Sequence, residues 1–425
     1  MINKSSSDSA YITPAQLCIG LHIHLDLPWT RHPFTFSSFK IKDLEQIGTL
    51  QMLGLTRIRY TPTKSDGKPL KIPPSSSPQP TAPKLHQDSP LYQSKQARVT
   101  RLLEQQARVA LCERTFLSSA RAVKLINQNL HSNPAQARED AQVLVKVIAD
   151  SMLTECDIAI NLMKDKVGYE EVYFHSLNVM LLSMMLAREL KEPFDKIQLM
   201  GLGAMFHDVG KLDIPDRILR KIDALTQPEL SLLQQHCVFG VETGRMLDLP
   251  DEALMVIEQH HELMDGSGYP KGQKGGDSLL VNIVAIANTY DNLCNPLKSS
   301  QALTPHQALS LMYAQLRTKF ATVPLTAFVR CIGIYPPGTI VVLSNDCVGM
   351  VVSVNSSKPL KPTVLIYDPE VPRERAILVE LENEPDIVIS RALTPEDLPK
   401  PIFDYLAPRR RVVYYLNSAS NPAVP

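Results

Sequence analysis

The stretch Met205 to Pro215, read as MFHDVGKLDIP, places an imidazole, a carboxylate and an ammonium within five residues at the end of an apolar run. The chain has eleven histidines, and five of them, His175, His207, His236, His260 and His261, fall in one window. Each sits on or near a segment with helical periodicity, and the segments are far enough apart for separate helices to converge on one point. A lone histidine is usually a satisfied core or surface residue. Five together, joined by Asp208 and followed by Glu262, point to metal ligation, because neutral imidazole suits iron, manganese, zinc or nickel and a carboxylate can bridge two ions. Two ions about 3.5–4 Å apart clamp a phosphoryl group and acidify a shared water. Lys211, three residues after the bridging aspartate, adds a cation able to stabilise the negative charge of a phosphorane-like transition state. The segment HHELMDGSGYP from His260 to Pro270 then runs from ligands into a loop with Gly266 and Gly268, residues that permit close backbone approach over a ligand.

Two other groupings carry weaker chemistry. His22-Ile23-His24 would set two imidazoles on one face of a strand, as in a metal pair, but no carboxylate or lysine context follows, so a partly buried edge strand is the expectation. Arg409-Arg410-Arg411 would contact a phosphate or an acidic partner, or form a solvated charge run, which is the commoner outcome.

The elements that must position the histidines follow from the rest of the chain. At 425 residues, two or three domains are expected. Lys plus Arg and Asp plus Glu are equal at 44 each, so no overall charge favours DNA, RNA or an anionic membrane. Seven scattered cysteines without a CxxC pair argue against a disulfide framework or thiolate zinc site. The N-terminus lacks a signal-peptide core, and the longest apolar stretch, Val179 to Ala187, is too short to span a bilayer, so a cytoplasmic location is expected.

Along the chain, residues 1–72 read as a small α+β accessory module, with alternation in CIGLHIHLDL and IRYTP around one helical patch. Residues 73–87 form a Pro/Ser-rich linker. Residues 88–168 read as amphipathic helices, a relay or homodimerisation element or an ordinary packed hairpin. Residues 169–333 are helical throughout, with Thr226 and Glu229 in capping-box spacing and Thr304-Pro305 as a cap followed by a first-turn proline. Residues 334–425 turn to strand alternation with a hairpin turn at Asn345-Asp346. The fold class is mainly α, a helical bundle with a small C-terminal β subdomain.

His175, the HDVGK run from His207, His236, and HHELMDGSGYP from His260 resemble the HD-GYP family, a branch of the HD phosphohydrolases, over about residues 169–333. Residues 12–72 are similar to the module of unknown function often found ahead of such domains. The resemblance implies an HD-type bundle that hydrolyses cyclic di-GMP, a bacterial second messenger, to pGpG and in some members onward to GMP. It implies two or three divalent metals, commonly iron or manganese. Glu171, His175, His207, Asp208, His236, His260 and His261 fall on ligand positions, Asp208 and Lys211 on catalytic ones, and Lys211, Asp265, Gly266, Gly268, Tyr269 and Pro270 on substrate contacts. Two departures stand out. Asn288 replaces an aspartate ligand, offering a neutral oxygen. Leu297-Lys298-Ser299-Ser300 replaces a basic stretch, leaving Lys298 alone to grip the dinucleotide, without an arginine's bidentate geometry. A second reading is therefore a weakly active or inactive receptor for cyclic di-GMP whose Gly-Tyr-Pro loop docks a GGDEF-type diguanylate cyclase. A third is an HD phosphohydrolase for another nucleotide.

Overall fold

A computed structural model describes residues 9–27, 31–34, 36–71, 90–154, 158–163, 171–274, 278–354, 358–369, 371–373, 376–406 and 411–416. The Pro/Ser-rich stretch 73–87, Arg409 and Arg410 lie outside the described residues, as does the side chain of Arg411. The chain divides into two compact units, Met1–Leu103 with Ile366–Leu378, and Glu104–Leu365 with Val379–Pro425.

In the first unit, strands β1 (Ala10–Ile12), β2 (His22–His24), β3 (Ser38–Lys40) and β4 (Ile58–Tyr60) form a sheet in the order β1-β4-β2-β3. Helix α1 (Leu44–Met52) starts where the Asp43 carboxylate accepts the Gln46 backbone N–H. Leu21, Ile23, Leu25, Ile41, Leu50 and Ile58 make the core. His22 and His24 flank the fully buried Ile23, and the His24 ring lies 3.5 Å from Asp26. Neither belongs to a group of three or more converging ligand atoms among the described residues. The strand is not the expected edge strand, however, because β2 pairs with β4 on one side and β3 on the other, partners that local sequence does not reveal.

Helix α2 (Pro90–Asn129) and helix α3 (Pro134–Thr154) form where helices are expected. Phe116, Ala120, Val123 and Ile126 of α2 and Ala141, Leu144, Val145 and Ile148 of α3 are buried in the large helical core. The helical reading extends too far, however: Ile158–Met163 is a strand, β5. The run IAINLM is short and apolar, so periodicity cannot separate helix from strand there. What decides is a distant partner in the C-terminal tail, described below.

The helical domain comprises α4 (Glu171–Glu189), α5 (Phe194–Phe206), a 3-10 turn over Val209–Asp213, α6 (Asp216–Leu219), α7 (Gln227–Gln234), α8 (His236–Met246), α9 (Asp251–Gln259), α10 (Leu279–Cys294), α11 (Pro305–Ala314) and α12 (Thr322–Ile332). The capping box at Thr226/Glu229 and the Thr304 cap with Pro305 in the first turn form as the sequence indicates, and Gln307 closes a second box with Thr304. Helix α4 is apolar from Leu177 to Ala187 save for Asn178 and Ser183, and is buried there on all sides, as such a helix must be. Helices α5 and α10 pack against it.

After α12 come β6 (Ile340–Leu343) and β7 (Val348–Ser353), joined by the predicted hairpin with Asp346 at φ 65°. Strands β8 (Thr363–Ile366), β9 (Ile377–Glu380) and β10 (Ile389–Leu393) complete a sheet in the order β10-β6-β7-β8-β9. Helix α13 (Lys400–Leu406) leads to β11 (Arg411–Leu416), which pairs antiparallel with β5 from Arg411↔Met163 to Leu416↔Ile158. No helix among the described residues is long and apolar enough to cross a membrane.

Candidate metal centre

Four separate elements bring imidazoles to Asp208. His207 closes α5, His236 opens α8, His260 closes α9, and His175 lies in the second turn of α4. Three of these rings are aimed in one way: the Nδ1–H of His207 donates to Ala204 O at 2.7 Å, that of His236 to Leu233 O at 2.6 Å, and that of His260 to Ile257 O at 2.9 Å. A carbonyl can only accept, so Nδ1 carries the proton and Nε2 presents its lone pair. The fourth, His175, is held by the Asp291 carboxylate, 2.6 Å from its Nδ1. A carboxylate behind a histidine fixes the ring and raises the basicity of the far nitrogen.

The Nε2 atoms all face Asp208, and its two oxygens divide them into pairs. Oδ2 lies 3.5 Å from His175 and 3.3 Å from His207, while Oδ1 lies 3.4 Å from His236 and 3.6 Å from His260. Within each pair the Nε2 atoms approach to 3.3 Å. His261 joins the second group, so that Asp208, His236, His260 and His261 offer four ligand atoms within 4.8 Å of one another, and His175, His207 and Asp208 offer three. Lone pairs opposed at this distance repel unless a cation lies between them. Asp208 Oδ1 and His261 Nε2 are buried and have no hydrogen bond, a cost that protein structures seldom leave unrelieved. The donor set therefore fits divalent cations, with Asp208 common to both groups of ligand atoms.

The electrostatics match. Burial lowers His207, brings His236 and His260 to about 4, and holds His261 well below its ordinary value. Burial alone would raise the Asp208 carboxyl, but the Lys211 ammonium and the His207 ring hold it well below the usual carboxylate range. The rings are thus neutral and the carboxylate charged at pH 7, the protonation states that metal binding requires. A stability prediction follows. Below pH 6.5 the unfolded chain protonates these histidines, whereas folded His236 and His260 resist until about 4. Stability present above pH 6.5 is lost as pH falls through that window. The midpoint of thermal unfolding of the chelated protein should drop between pH 7 and pH 5, as differential scanning fluorimetry would measure.

Close packing delivers the second pair. A Cβ on Gly210 would lie 2.1 Å from His236 O and 2.3 Å from Gly240 N, and one on Gly240 would lie 2.7 Å from Ile257. Glycine at 210 lets the first turns of α8 rest on the backbone beside Asp208, and glycine at 240 admits α9.

Lys211 Nζ donates to Asp208 Oδ2 at 2.5 Å and keeps 29% of its side chain exposed. Asn288 is buried on α10, its Oδ1 accepting from Asn292 Nδ2 at 2.7 Å. Lys298 follows α10, half-buried and with no ion pair among the described residues. The side chain of Glu171 lies outside the described residues. In the loop after α9, exposed Asp265 accepts from the backbone N–H and the hydroxyl of Ser267, Gly266 has φ 77°, and exposed Pro270 follows a cis peptide. Tyr269 stacks on His261 with ring centroids 4.3 Å apart. A Cβ on Gly268 would meet His261 O at 2.3 Å and Leu263 N at 2.6 Å, so glycine there admits the fold-back. Sequence reasoning passed over Asp291 and left Glu262 without a task. Asp291 stands three residues after Asn288 and so shares its helical face, a spacing that could have flagged it.

Comparison with known proteins assigns the parts. Residues 157–321 match the HD domain model, residues 10–141 a domain of unknown function (DUF3391), and residues 340–400 a KOW domain associated with HD domain. The segment similar to the HD domain thus lies, in chain order, between the segment similar to DUF3391 and the segment similar to the KOW domain. It is similar to a cyclic di-GMP phosphodiesterase of Pseudomonas aeruginosa, 31% identical over 61% of this chain and 65% of that protein. A cyclic di-GMP phosphodiesterase response regulator of Xanthomonas campestris is 33% identical over 31% of this chain and 35% of its own. A 3'3'-cGAMP-specific phosphodiesterase of Vibrio cholerae is 27% identical over 52% of this chain and 46% of its own. These matches take in between 35% and 65% of the relatives' length.

Proposed function

We propose that the chain hydrolyses a phosphodiester bond of a cyclic dinucleotide, cyclic di-GMP first among them, with divalent cations held around Asp208. The observation that carries this reading is the division of the Asp208 carboxylate, one oxygen toward His175 and His207 and the other toward His236 and His260. His175, His207 and Asp208 would hold one ion, and Asp208, His236, His260 and His261 the other, with iron or manganese suited to this mix of imidazole and carboxylate. Glu171 is the proposed further ligand where a third ion binds. When bound, such ions supply Lewis-acid charge to a phosphoryl oxygen and bring a water toward ionisation near neutral pH.

The chain's own groups supply the rest. Asp208 is the charged anchor common to both ligand groups. Lys211, partly exposed beside it, can turn its ammonium to a non-bridging phosphate oxygen and neutralise charge that grows in the transition state. Lys298 contributes a point charge for the second phosphate, and the loop from Asp265 through Gly266, Gly268, Tyr269 and Pro270 forms a wall for the dinucleotide. The test is turnover of cyclic di-GMP, with 3'3'-cGAMP as comparison, by protein loaded with manganese or iron(II). Cation-dependent cleavage of cyclic di-GMP that chelation abolishes is expected; no cleavage of either nucleotide would overturn the catalytic reading.

One observation favours a second reading, a cyclic di-GMP receptor of low activity whose Gly-Tyr-Pro loop docks a GGDEF-type cyclase. Asn288 presents a neutral oxygen already engaged by Asn292. Asn288→Asp keeps the acceptor and adds charge, so it should raise metal occupancy and turnover together. Metal content and initial rate, unchanged in that variant, would show that position 288 does not limit the site.

A further inference from the structure

Of the five histidines around Asp208, four are aimed by a hydrogen bond from Nδ1, three to backbone carbonyls and one to Asp291. His261 is not: neither of its ring nitrogens is hydrogen-bonded among the described residues, and Nε2 is buried. A ring that rotates about χ1 and χ2 needs some constraint to serve as a ligand, and what touches His261 is aromatic. Tyr269 stacks on it at 4.3 Å with an interplanar angle of 22°, and His260 packs against it with centroids 4.2 Å apart. Tyr269 in turn is held by its loop. Its backbone N–H donates to His261 O at 3.2 Å, and the loop closes through an antiparallel bridge between Asp265 and Lys274.

The loop's tether is Glu262. This carboxylate is 6% exposed, yet no lysine, arginine or histidine pairs with it among the described residues. Instead Oε1 accepts the backbone N–H groups of Lys271 at 2.6 Å and Gly272 at 3.2 Å, and Oε2 that of Gln273 at 3.0 Å. Consecutive backbone N–H groups converging on a carboxylate form a strong anion nest, and here the anion belongs to the residue next to the ligand. Glu262 therefore pins the far limb of the loop against the end of α9, and the near limb lays Tyr269 on His261.

We infer that Glu262 and Tyr269 are positioning residues for metal binding: the Glu262 nest locks the 265–274 loop so that Tyr269, by stacking, aims His261 at the cation site it shares with Asp208, His236 and His260. This rests on the metal-dependent reading above and assigns that site a regulator, since anything that lifts the loop frees a ligand. Neither residue touches the reacting atoms in this account. The hydroxyl of the stacked ring is secondary, because the contact is made by its face.

The test is manganese binding to the full chain by isothermal titration calorimetry, with circular dichroism to verify the fold and no nucleotide present. Glu262→Gln retains bulk but turns a donor toward one N–H of the nest, and Tyr269→Ala removes the stacked ring. Each should weaken the tighter manganese site about 10- to 100-fold, the usual cost of disturbing a group behind a ligand. Tyr269→Phe should bind within about twofold of the unaltered protein, a rescue that a merely structural hydroxyl would not give. Should Glu262→Gln disturb folding, the Tyr269→Ala and Tyr269→Phe pair decides alone. Unchanged affinity in Tyr269→Ala, or equal weakening in Tyr269→Phe, would overturn the inference. An unaltered protein that takes up no manganese would instead sink the metal-dependent reading.

Discussion

Under the proposed two-ion chemistry, Asp208→Asn should remove both cations at once and lower phosphodiesterase turnover at least about a thousandfold. The expectation rests on sharing. Each Asp208 oxygen faces a different pair of Nε2 atoms at 3.3 to 3.6 Å, so loss of its charge weakens two ligand groups with one change. An amide also turns a donor toward one pair and an uncharged acceptor toward the other. The fold should survive. The buried carboxylate gains from Lys211, but that ammonium is 29% exposed and can swing into water, so no buried charge is stranded. Stability of the chelated variant is expected within about 1 kcal/mol of the unaltered protein. Metal analysis by mass spectrometry and chemical denaturation would check the two halves separately. A variant that keeps its metal would contradict the shared role, whatever its activity.

Gly210→Ala should be the most damaging change outside the ligands. The added methyl would sit 2.1 Å from His236 O and 2.3 Å from Gly240 N, both backbone atoms of α8. No side-chain rotation relieves such a contact. Helix α8 must retreat by more than about 1 Å, and overpacking of this kind costs about 1–3 kcal/mol or more. His236 opens that helix, so the retreat also pulls its Nε2 away from Asp208 Oδ1 and His260. A displacement of about 1 Å at a reacting centre costs on the order of a hundredfold in rate. The expected result is lowered thermal stability with lost turnover, and manganese affinity reduced at the site holding His236. Unaltered stability would show that the α8 contact is softer than the backbone distances indicate.

The sequence carried most of this site because its chemistry is concentrated in residue types. Five histidines, one aspartate between apolar and basic neighbours, and a double-glycine loop are visible without coordinates. The helical domain was legible for the same reason that its caps were: Thr226/Glu229 and Thr304-Pro305 are local signals that fold as written. What was not legible depends on distant partners. Ile158–Met163 reads as the end of a helix until Arg411–Leu416 pairs with it across the chain. Asp291 reads as a polar residue on a buried helix until His175, far away in sequence, turns Nδ1 toward it. Glu262 looks like one more carboxylate beside two ligands, yet its oxygens are spent on backbone N–H groups, and only the path of the following loop could reveal that. Gly210 in HDVGK looks like a helix terminator; its task is to admit another helix.

The most direct measurement of the central claim is electron paramagnetic resonance of the protein titrated with manganese to two equivalents. On the proposed reading, ions held by the two ligand groups that share Asp208 would give an exchange-coupled spectrum that appears with the second equivalent and vanishes in Asp208→Asn. A plain six-line signal growing in proportion to added manganese, or no bound manganese at all, would contradict the shared carboxylate and with it the proposed chemistry.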